Sequence, residues 1–291
     1  MRAGSFFAPA KLNLFLHVVG RRPDGYHLLE TVFTLLDFGD TIDVAVRDDG
    51  AIRRTRALKG VAENDDLVLR AAHALKRDTG CSLGADLAVD KRIPVGGGLG
   101  GGSSDAATTL LALNRLWHLN LGRAELARIG LSLGADVPFF IFGHDAFARG
   151  IGEDLVAINL PQRWFAVLAP DCAVPTAAIF SSGELTRNTK SVKIEDFSAG
   201  FWSFPGNEFR NDLEPVACTS FPPVGAALDW LRGFDGEAAI AARMSGSGAC
   251  VFSGFDSAER ALAVLARRPP GIGGFAARSL GEHPLREYAL G

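Results

Sequence analysis

Cysteine is scarce in this chain, and the few cysteines stand far apart. Cys81, Cys172, Cys218 and Cys250 form no C-x-x-C pair and no cluster with histidine. A disulfide framework or a zinc site needs close, regular spacing of such residues. We therefore expect four reduced thiols in a cytoplasmic protein.

A marked excess of charge of either sign is also lacking. The 291 residues include 30 lysines and arginines against 33 acidic residues, a formal net charge of −3. Proteins that bind nucleic acid or anionic membranes usually carry a strongly basic surface. We expect neither partner, and an anionic small-molecule substrate would have to be held by local donors.

Long apolar runs are missing as well. No segment approaches the roughly 20 uncharged residues of a membrane span, and Lys11 and Asn13 interrupt the apolar N-terminal stretch, which makes it a poor signal peptide. The apolar fraction of 47% and the charged fraction of 22% are typical of a globular enzyme. The length allows one large domain or two ordinary ones, and a monomer and a homodimer both stay open.

The order of predicted elements favours two domains of the α+β class. The first part is rich in strands, including 5–19 and 41–46. Turn-forming residues crowd between 143 and 163, so we place the boundary there, with domains 1–152 and 153–291. Strands and helices alternate in the second part, which predicts an α/β sandwich.

A glycine-rich loop is the most distinctive stretch of the sequence. It lies between a predicted strand that ends at Ile93 and a predicted helix that begins near Asp105, with Ser103 or Ser104 as the helix N-cap. So many glycines are expected only where the backbone comes close to a ligand or turns through positive φ. Its amide groups and the helix dipole suit a phosphate group. The loop consists of Pro94, Val95, Gly96, Gly97, Gly98, Leu99, Gly100, Gly101, Gly102, Ser103 and Ser104.

Three other interpretations of this loop fit less well. The dinucleotide fingerprint G-x-G-x-x-G is satisfied at Gly96, Gly98 and Gly101, but a second strand ending in an acidic residue about 20 positions later is missing. The P-loop of nucleotide triphosphatases needs a lysine after the glycines, and none follows. A flexible linker rarely separates an apolar strand from a capped helix.

Two charged residues stand in apolar surroundings. Lys11 lies within a predicted strand, where an unpaired ammonium group would be costly to bury. Asp136 lies between a predicted helix and the apolar run 137–142. Lys11 alone is also compatible with a side chain that reaches the surface, and Asp136 with a turn or cap. Both interpretations weaken together, because a buried lysine and a buried aspartate each need the other.

Several motifs together resemble one known family. They closely resemble the GHMP kinases, named for galactokinase, homoserine kinase, mevalonate kinase and phosphomevalonate kinase. Within these kinases they resemble the branch that acts on 4-diphosphocytidyl-2-C-methyl-D-erythritol. The glycine loop and Ser245-Gly246-Ser247-Gly248 mark the superfamily only, whereas Asp24-Gly25-Tyr26-His27 joined to Gly134-Ala135-Asp136-Val137-Pro138-Phe139 is more specific. The remaining motifs are Ala10-Lys11-Leu12-Asn13-Leu14, Pro175-Thr176, Ile179-Phe180, Arg187-Asn188-Thr189 and Asn211-Asp212-Leu213-Glu214.

The resemblance implies a fold and an activity. The fold is a two-domain α+β GHMP kinase, with a β-rich N-terminal ATP-binding domain, an α/β-sandwich C-terminal domain and the active site in the cleft between them. The activity is the ATP-dependent phosphorylation of the substrate's 2-hydroxyl group in the non-mevalonate route to isoprenoids. Magnesium is implied as a second cofactor by the ATP chemistry, with Ser104 as a candidate contact and no acidic pair that stands out as dedicated ligands.

The resemblance also assigns residues to roles. Asp136 would orient or deprotonate the hydroxyl group, and Lys11 would keep Asp136 ionised and steady the phosphoryl group. Tyr26 and Phe180 would flank the cytosine ring, and His27 would read its polar edge. Two further substrate contacts are expected, from Asn13 and Thr176. Asp105 is expected to face away from the triphosphate.

Three rival functions remain open at this point. Another GHMP kinase, of the homoserine or mevalonate type, would turn over a substrate without cytidine. A non-catalytic nucleotide-binding protein would bind ATP but release no ADP. A dehydrogenase would bind a nicotinamide cofactor.

Overall fold

Two long strands form the frame of the structure. In the computed structural model, which describes residues 2–58, 60–195, 197 and 209–290, β1 (Ala3–Arg21) pairs antiparallel with β2 (His27–Arg47). The register of the pair shifts between Pro9 and Lys11 and again between Asn13 and Phe15. Such bulges bend a strand and re-aim its side chains. They flank the two polar residues that the sequence places inside an apolar strand.

The first sheet is completed around β2. One half of this strand pairs with β5 and the other half with β4, both antiparallel, and β3 adds to β4 in parallel. The order is β3-β4-β2-β5-β6, with β1 paired to β2. The added strands are β3 (Ile52–Arg54), β4 (Gly84–Asp90), β5 (Ala146–Arg149) and β6 (Asp154–Ala157).

Four helices accompany this sheet: α1 (Leu67–Thr79), α2 (Gly101–Leu116), α3 (Arg123–Leu131) and α4 (Val137–Phe142). The Asp66 side chain caps α1 by accepting from Val68 N, and α1 ends at Gly80, whose φ is 67°. Helix α2 is almost wholly buried and packs against α1, α4 and β1. The run 137–142 is buried, as its sequence predicts, and forms α4.

The second sheet has the order β10-β7-β9-β8 and is antiparallel throughout. Its strands are β7 (Trp164–Ala169), β8 (Ile240–Met244), β9 (Val251–Phe255) and β10 (Gly273–Arg278). Among the described residues, the helices with defined bounds in this half are α5 (Thr176–Ser181), α6 (Glu214–Ser220), α7 (Pro222–Arg232) and α8 (Ala258–Ala266). The predicted two-domain α+β class is confirmed.

The two sheets share part of their core. Leu12 of β1 is fully buried in a cluster with Phe165 of β7 and Phe252 of β9. Strand β1 therefore joins both halves and carries its polar residues to the cleft between them. The passage from the first sheet to the second lies between Ala157 and Trp164, and the division at 152/153 stays a prediction.

Two sequence expectations concern other regions of the chain. The stretch 181–204 is polar and has no clear period, which predicts loops and short helices; the structure describes it only up to residue 195 and at 197, and its remainder lies outside the described residues. Among the helices that the structure describes, none is both long and apolar enough to cross a membrane.

Candidate active site

A cavity of about 1400 Å³ lies in the cleft between the two halves. Pockets for one small molecule usually measure about 300–1,000 Å³, so this cavity has space for more than one ligand. It is lined by the glycine loop, the polar residues of β1, the start of α4, helix α5 and the turn between β1 and β2.

The backbone of the glycine loop is oriented by hydrogen bonds to its carbonyl groups. The carbonyls of residues 96–99 accept, in order, from Ala249 N, Cys250 N, Ser245 Oγ and Lys11 N, at 3.3, 3.1, 3.1 and 3.0 Å. Within the described part of the chain, the amide groups of Gly98, Leu99 and Gly100 donate to no protein acceptor. The loop thus turns its carbonyls towards protein and keeps amide donors for the cavity.

Glycine is required at Gly98 for two reasons. Its φ is +73°, in the left-handed region, and a Cβ atom there would lie 2.1 Å from the carbonyl oxygen of Ser245. The loop is therefore pressed against the turn between β8 and β9. That turn is held in place by Asn211, whose Nδ2 donates to the carbonyls of Met244 and Gly246 at 2.8 Å each.

Helix α2 begins earlier than the sequence suggests. Its first residue is Gly101 and its N-cap is Gly100, so the predicted N-cap at Ser103 or Ser104 is wrong. The Ser104 hydroxyl is fully buried and donates to Pro9 O at 2.6 Å. Ser103 lines the cavity. The helix begins on glycines because Ile93 leaves no space for a side chain at Gly101, where a Cβ atom would lie 2.9 Å away.

Lys11 and Asp136 are brought together at the cavity wall. Lys11 Nζ lies 3.4 Å from Asp136 Oδ2, and the lysine is only 3% exposed whereas the aspartate side chain is 32% exposed. Asp136 directly precedes α4, and its open side faces the cavity. The pair combines a buried, fixed cation with a carboxylate that solvent or a ligand can reach.

Asn13 lines the cavity, but its side chain has protein partners at both ends. Its Oδ1 accepts from Lys11 Nζ at 2.5 Å, and its Nδ2 donates to Thr31 Oγ1 at 2.9 Å. These bonds fix the direction of the lysine. A direct contact between Asn13 and substrate stays a prediction.

The other end of the cavity is aromatic. The rings of His27 and Phe180 stack with centroids 5.0 Å apart and planes 30° apart, and Tyr26 is 61% exposed beside them. Burial lowers the pKa of His27, and the positive charges of Arg187 and Arg21 lower it further. A neutral imidazole next to two flat rings is suited to a planar heterocycle.

Thr176 also lies at this end, as the first residue of α5. Its hydroxyl forms a hydrogen bond of 2.8 Å with Ser247 Oγ in the turn between β8 and β9. The structure thus brings all the predicted site residues to one cavity except Ser104, which is buried behind it.

An ionic cluster of Lys91, Asp40 and Asp105 lies behind the glycine loop, and Lys91 and Asp105 also reach the cavity wall, although Asp105 was expected to face away from the triphosphate. Lys91 Nζ is 2.5 Å from Asp40 Oδ2 and 2.7 Å from Asp105 Oδ2. Asp40 also accepts from the backbone amides of Arg92 and Ile93, at 2.5 and 2.8 Å. Both ends of the loop are therefore tied to one lysine. Burial raises the pKa of Asp105, which Lys91 only partly offsets.

Sequence reasoning missed an apolar part of the cavity beyond the glycine loop. Leu58 and Val61 line it from the connection that follows β3, Leu67 from the start of α1 and Val89 from β4. No sequence pattern groups these residues, because only the packing of β3, β4 and α1 brings them together. The hydrogen bond from Arg187 to His27 was missed for the same reason.

Comparisons with known proteins identify the family. Residues 66–144 match the model described as GHMP kinases N terminal domain, and residues 201–270 match GHMP kinases C terminal. The chain is 56% identical over 281 residues to the 4-diphosphocytidyl-2-C-methyl-D-erythritol kinase of Aromatoleum aromaticum, covering 97% of this chain and 95% of that one. It is 55% identical over 285 residues to the enzyme of that name from Herminiimonas arsenicoxydans, covering 97% and 96%.

Solved structures support the family assignment and the fold. A crystal structure of 4-(cytidine 5'-diphospho)-2C-methyl-D-erythritol kinase matches with a TM-score of 0.75 and 31% identity, covering 96% of this chain and all of that one. Homoserine kinase from Cytophaga hutchinsonii matches with a TM-score of 0.73 over 97% of this chain and 96% of that one, but at 16% identity it shows the shared fold alone. The chain belongs to the 4-diphosphocytidyl-2-C-methyl-D-erythritol kinases, a family of ATP-using small-molecule kinases within the GHMP superfamily.

Proposed function

We propose that this chain transfers the terminal phosphoryl group of ATP to the 2-hydroxyl group of 4-diphosphocytidyl-2-C-methyl-D-erythritol. The observation that carries the proposal is the Lys11–Asp136 pair, 3.4 Å apart, in the same cavity as a loop with unused amide donors. Phosphoryl transfer depends mainly on positioning and on charge stabilisation, and this cavity offers groups for both.

The glycine loop and the start of α2 would hold the phosphate groups of ATP. The amides of Gly98, Leu99 and Gly100 face no protein acceptor, and the positive end of the sixteen-residue helix α2 follows them. The apolar wall formed by Leu58, Val61, Leu67 and Val89 lies beyond the loop and would enclose the adenine ring.

Asp136 would accept the proton of the 2-hydroxyl group as that oxygen attacks the terminal phosphorus of ATP. The new O–P bond forms while the bond between this phosphorus and the bridging oxygen of ADP breaks, so ADP leaves with the electron pair. Lys11 holds this carboxylate in place through the ion pair, with Nζ 3.4 Å from Asp136 Oδ2. It also lies where negative charge on the moving phosphoryl group would be stabilised.

Magnesium fits the cavity as an ion carried chiefly by the nucleotide. Among the described residues, no three acidic, histidine or cysteine side chains come together as a metal site. Asp136 and Ser103 are among the oxygen-bearing side chains that line the cavity, whereas the Ser104 hydroxyl donates to Pro9. Mg²⁺ in kinases is usually bound by substrate phosphates, waters and one or two carboxylates. When bound, it neutralises charge on those phosphates.

The test is an assay of ADP release with purified protein and four acceptors. The cytidine-linked substrate should support turnover, whereas free methylerythritol, homoserine and mevalonate should not. Turnover of homoserine or mevalonate instead would overturn the assigned substrate. ATP binding without ADP release from any acceptor would favour the non-catalytic alternative.

A further inference from the structure

Arg187 is placed to control both rings at the aromatic end of the cavity. Its Nε donates to His27 Nε2 at 3.0 Å, and its Nη2 donates to the carbonyl of Phe180 at 3.0 Å. His27 and Phe180 stand more than 150 positions apart in the sequence, at the first residue of β2 and on α5. One half-buried guanidinium group therefore links the two ring-bearing segments.

The remaining donors of Arg187 hold the guanidinium group in place. Nη2 also donates to Ser182 O at 2.6 Å, and Nη1 donates to Leu185 O at 3.0 Å. Because all three nitrogen atoms are engaged, the plane of the guanidinium group is fixed. The direction of its Nε–H bond towards His27 is fixed with it.

This contact decides which nitrogen of His27 carries the proton. Arginine has only donors, so His27 Nε2 must accept and must be unprotonated. The neutral ring then carries its proton on Nδ1. The lowered pKa of His27, caused by burial and by the charges of Arg187 and Arg21, agrees with a neutral ring.

We propose that Arg187 is a positioning residue for base selection: by holding His27 as the neutral Nδ1–H form against Phe180, it makes the imidazole a hydrogen-bond donor to the base. The inference rests on the proposed function, because it assumes that a pyrimidine nucleotide binds at this end. Cytosine has an acceptor at N3, whereas uracil has an N–H group there. A donor aimed at N3 therefore accepts cytosine and opposes uracil, which would leave two donors facing each other.

The first measurement is the ratio of kcat/KM for the cytidine-linked substrate to kcat/KM for its uridine analogue. We expect Arg187→Gln to lower this ratio about tenfold or more, the size of effect that one hydrogen bond to a buried polar group produces. KM for ATP should stay within about twofold, because the hydrogen bonds of Arg187 go to His27, Phe180, Ser182 and Leu185 and not to the glycine loop. Arg187→Lys should restore little, since a lysine lacks the fixed fork.

The matched control is Arg22→Gln. Arg22 lies in the turn that leads to His27, and its guanidinium group pairs with Asp24 at 2.8 Å instead. The Arg22→Gln variant should leave the cytidine-to-uridine ratio of kcat/KM unchanged. In a His27→Ala background, Arg187→Gln should cause no further loss, because the two residues act as one unit.

The second measurement is nitrogen-15 NMR of the His27 ring, assigned by comparison with His27→Gln. The wild-type protein should show the neutral Nδ1–H form, and Arg187→Gln should shift the ring towards the Nε2–H form. A purely structural role for Arg187 predicts a change in thermal stability without a change of tautomer or base ratio. A wild-type Nε2–H ring, or an unchanged base ratio in a folded Arg187→Gln variant, would overturn the proposal.

The two proposals fail separately. If wild-type protein does not turn over the cytidine-linked substrate, the proposed function fails, whereas the ring tautomer is measured without any substrate. If Arg187→Gln does not fold, two measurements on the wild-type protein still test the proposal: the tautomer of His27 and the ratio of kcat/KM for the cytidine-linked substrate to that for its uridine analogue. A ratio near one would contradict base selection by His27.

Discussion

The two ends of the cavity are built by different means. At the loop end, backbone amides face the cavity, and the loop carbonyls are bonded to β1 and to the turn after β8. At the aromatic end, side chains carry the chemistry, and they belong to a turn and to the six-residue helix α5. Backbone groups recognise phosphate whatever it is attached to, whereas side chains can distinguish one base from another. The difference predicts separable effects of mutation on nucleotide binding, chemistry and base selection.

The largest effect is expected where the two ends meet, at Asp136. Asp136→Asn should lower kcat about 10²- to 10⁴-fold, the range that a positioned general base contributes. ATP affinity, measured by calorimetry, should change little, because the loop amides are untouched. The exposed Asp90→Asn variant is the control. Near-normal turnover by Asp136→Asn would show that Asp136 is not the general base.

The next effect concerns the loop end. Gly98→Ala should raise KM for ATP more than tenfold and lower the free energy of unfolding, because the new Cβ atom collides with Ser245 O in a left-handed residue. Gly96→Ala is the matched variant, since its φ is +70° but the nearest atom would be 4.0 Å away. Equal destabilisation of the two variants would show that the collision does not matter.

A smaller, selective effect is expected at the aromatic end. His27→Ala should raise KM for the cytidine-linked substrate about ten- to hundredfold, with kcat lowered less and KM for ATP unchanged, since a hydrogen bond and a ring contact are lost. His73→Ala, on the exposed face of α1, serves as control. Equal use of free methylerythritol by the wild-type protein would contradict base reading at His27.

The smallest effect is on stability against pH, through the ionic cluster behind the loop. Burial raises the pKa of Asp105 above its usual value near 4. The native state therefore binds more protons than the unfolded state above about pH 4, and this contribution to stability is lost as the pH rises towards the native pKa. Asp105→Asn should flatten the fall of unfolding free energy with pH, by at most about 1.4 kcal/mol per pH unit.

Urea unfolding at several pH values between 5 and 8 measures this slope, with Asp90→Asn as the reference. Burial lowers the pKa of His27, so below about pH 6.5 the unfolded state binds more protons than the native state, and His27→Ala should change the slope in the opposite direction, towards a steeper fall. A steeper slope in Asp105→Asn would contradict the raised pKa.

Local sequence was sufficient to predict the parts of the site that depend on local backbone. A glycine loop between a strand and a helix predicts amide donors, because glycine adopts positive φ values and allows close backbone approaches most readily. Local sequence was insufficient to predict the start of α2. This helix begins at Gly101 because Ile93 packs against that residue and the Ser104 hydroxyl bonds to Pro9. These partners are remote in sequence, so no local capping pattern reveals them.

What the sequence by itself determined is the chemistry available: a loop without side chains, a lysine too costly to bury alone, and a family likeness carried by short motifs. Only the tertiary structure decided which groups meet. It paired Lys11 with Asp136, occupied Asn13 on both sides and placed Arg187 against His27. The physical reason is that hydrogen bonds and ion pairs act over a few ångströms in space, and chain position does not determine that distance until the sheets have packed.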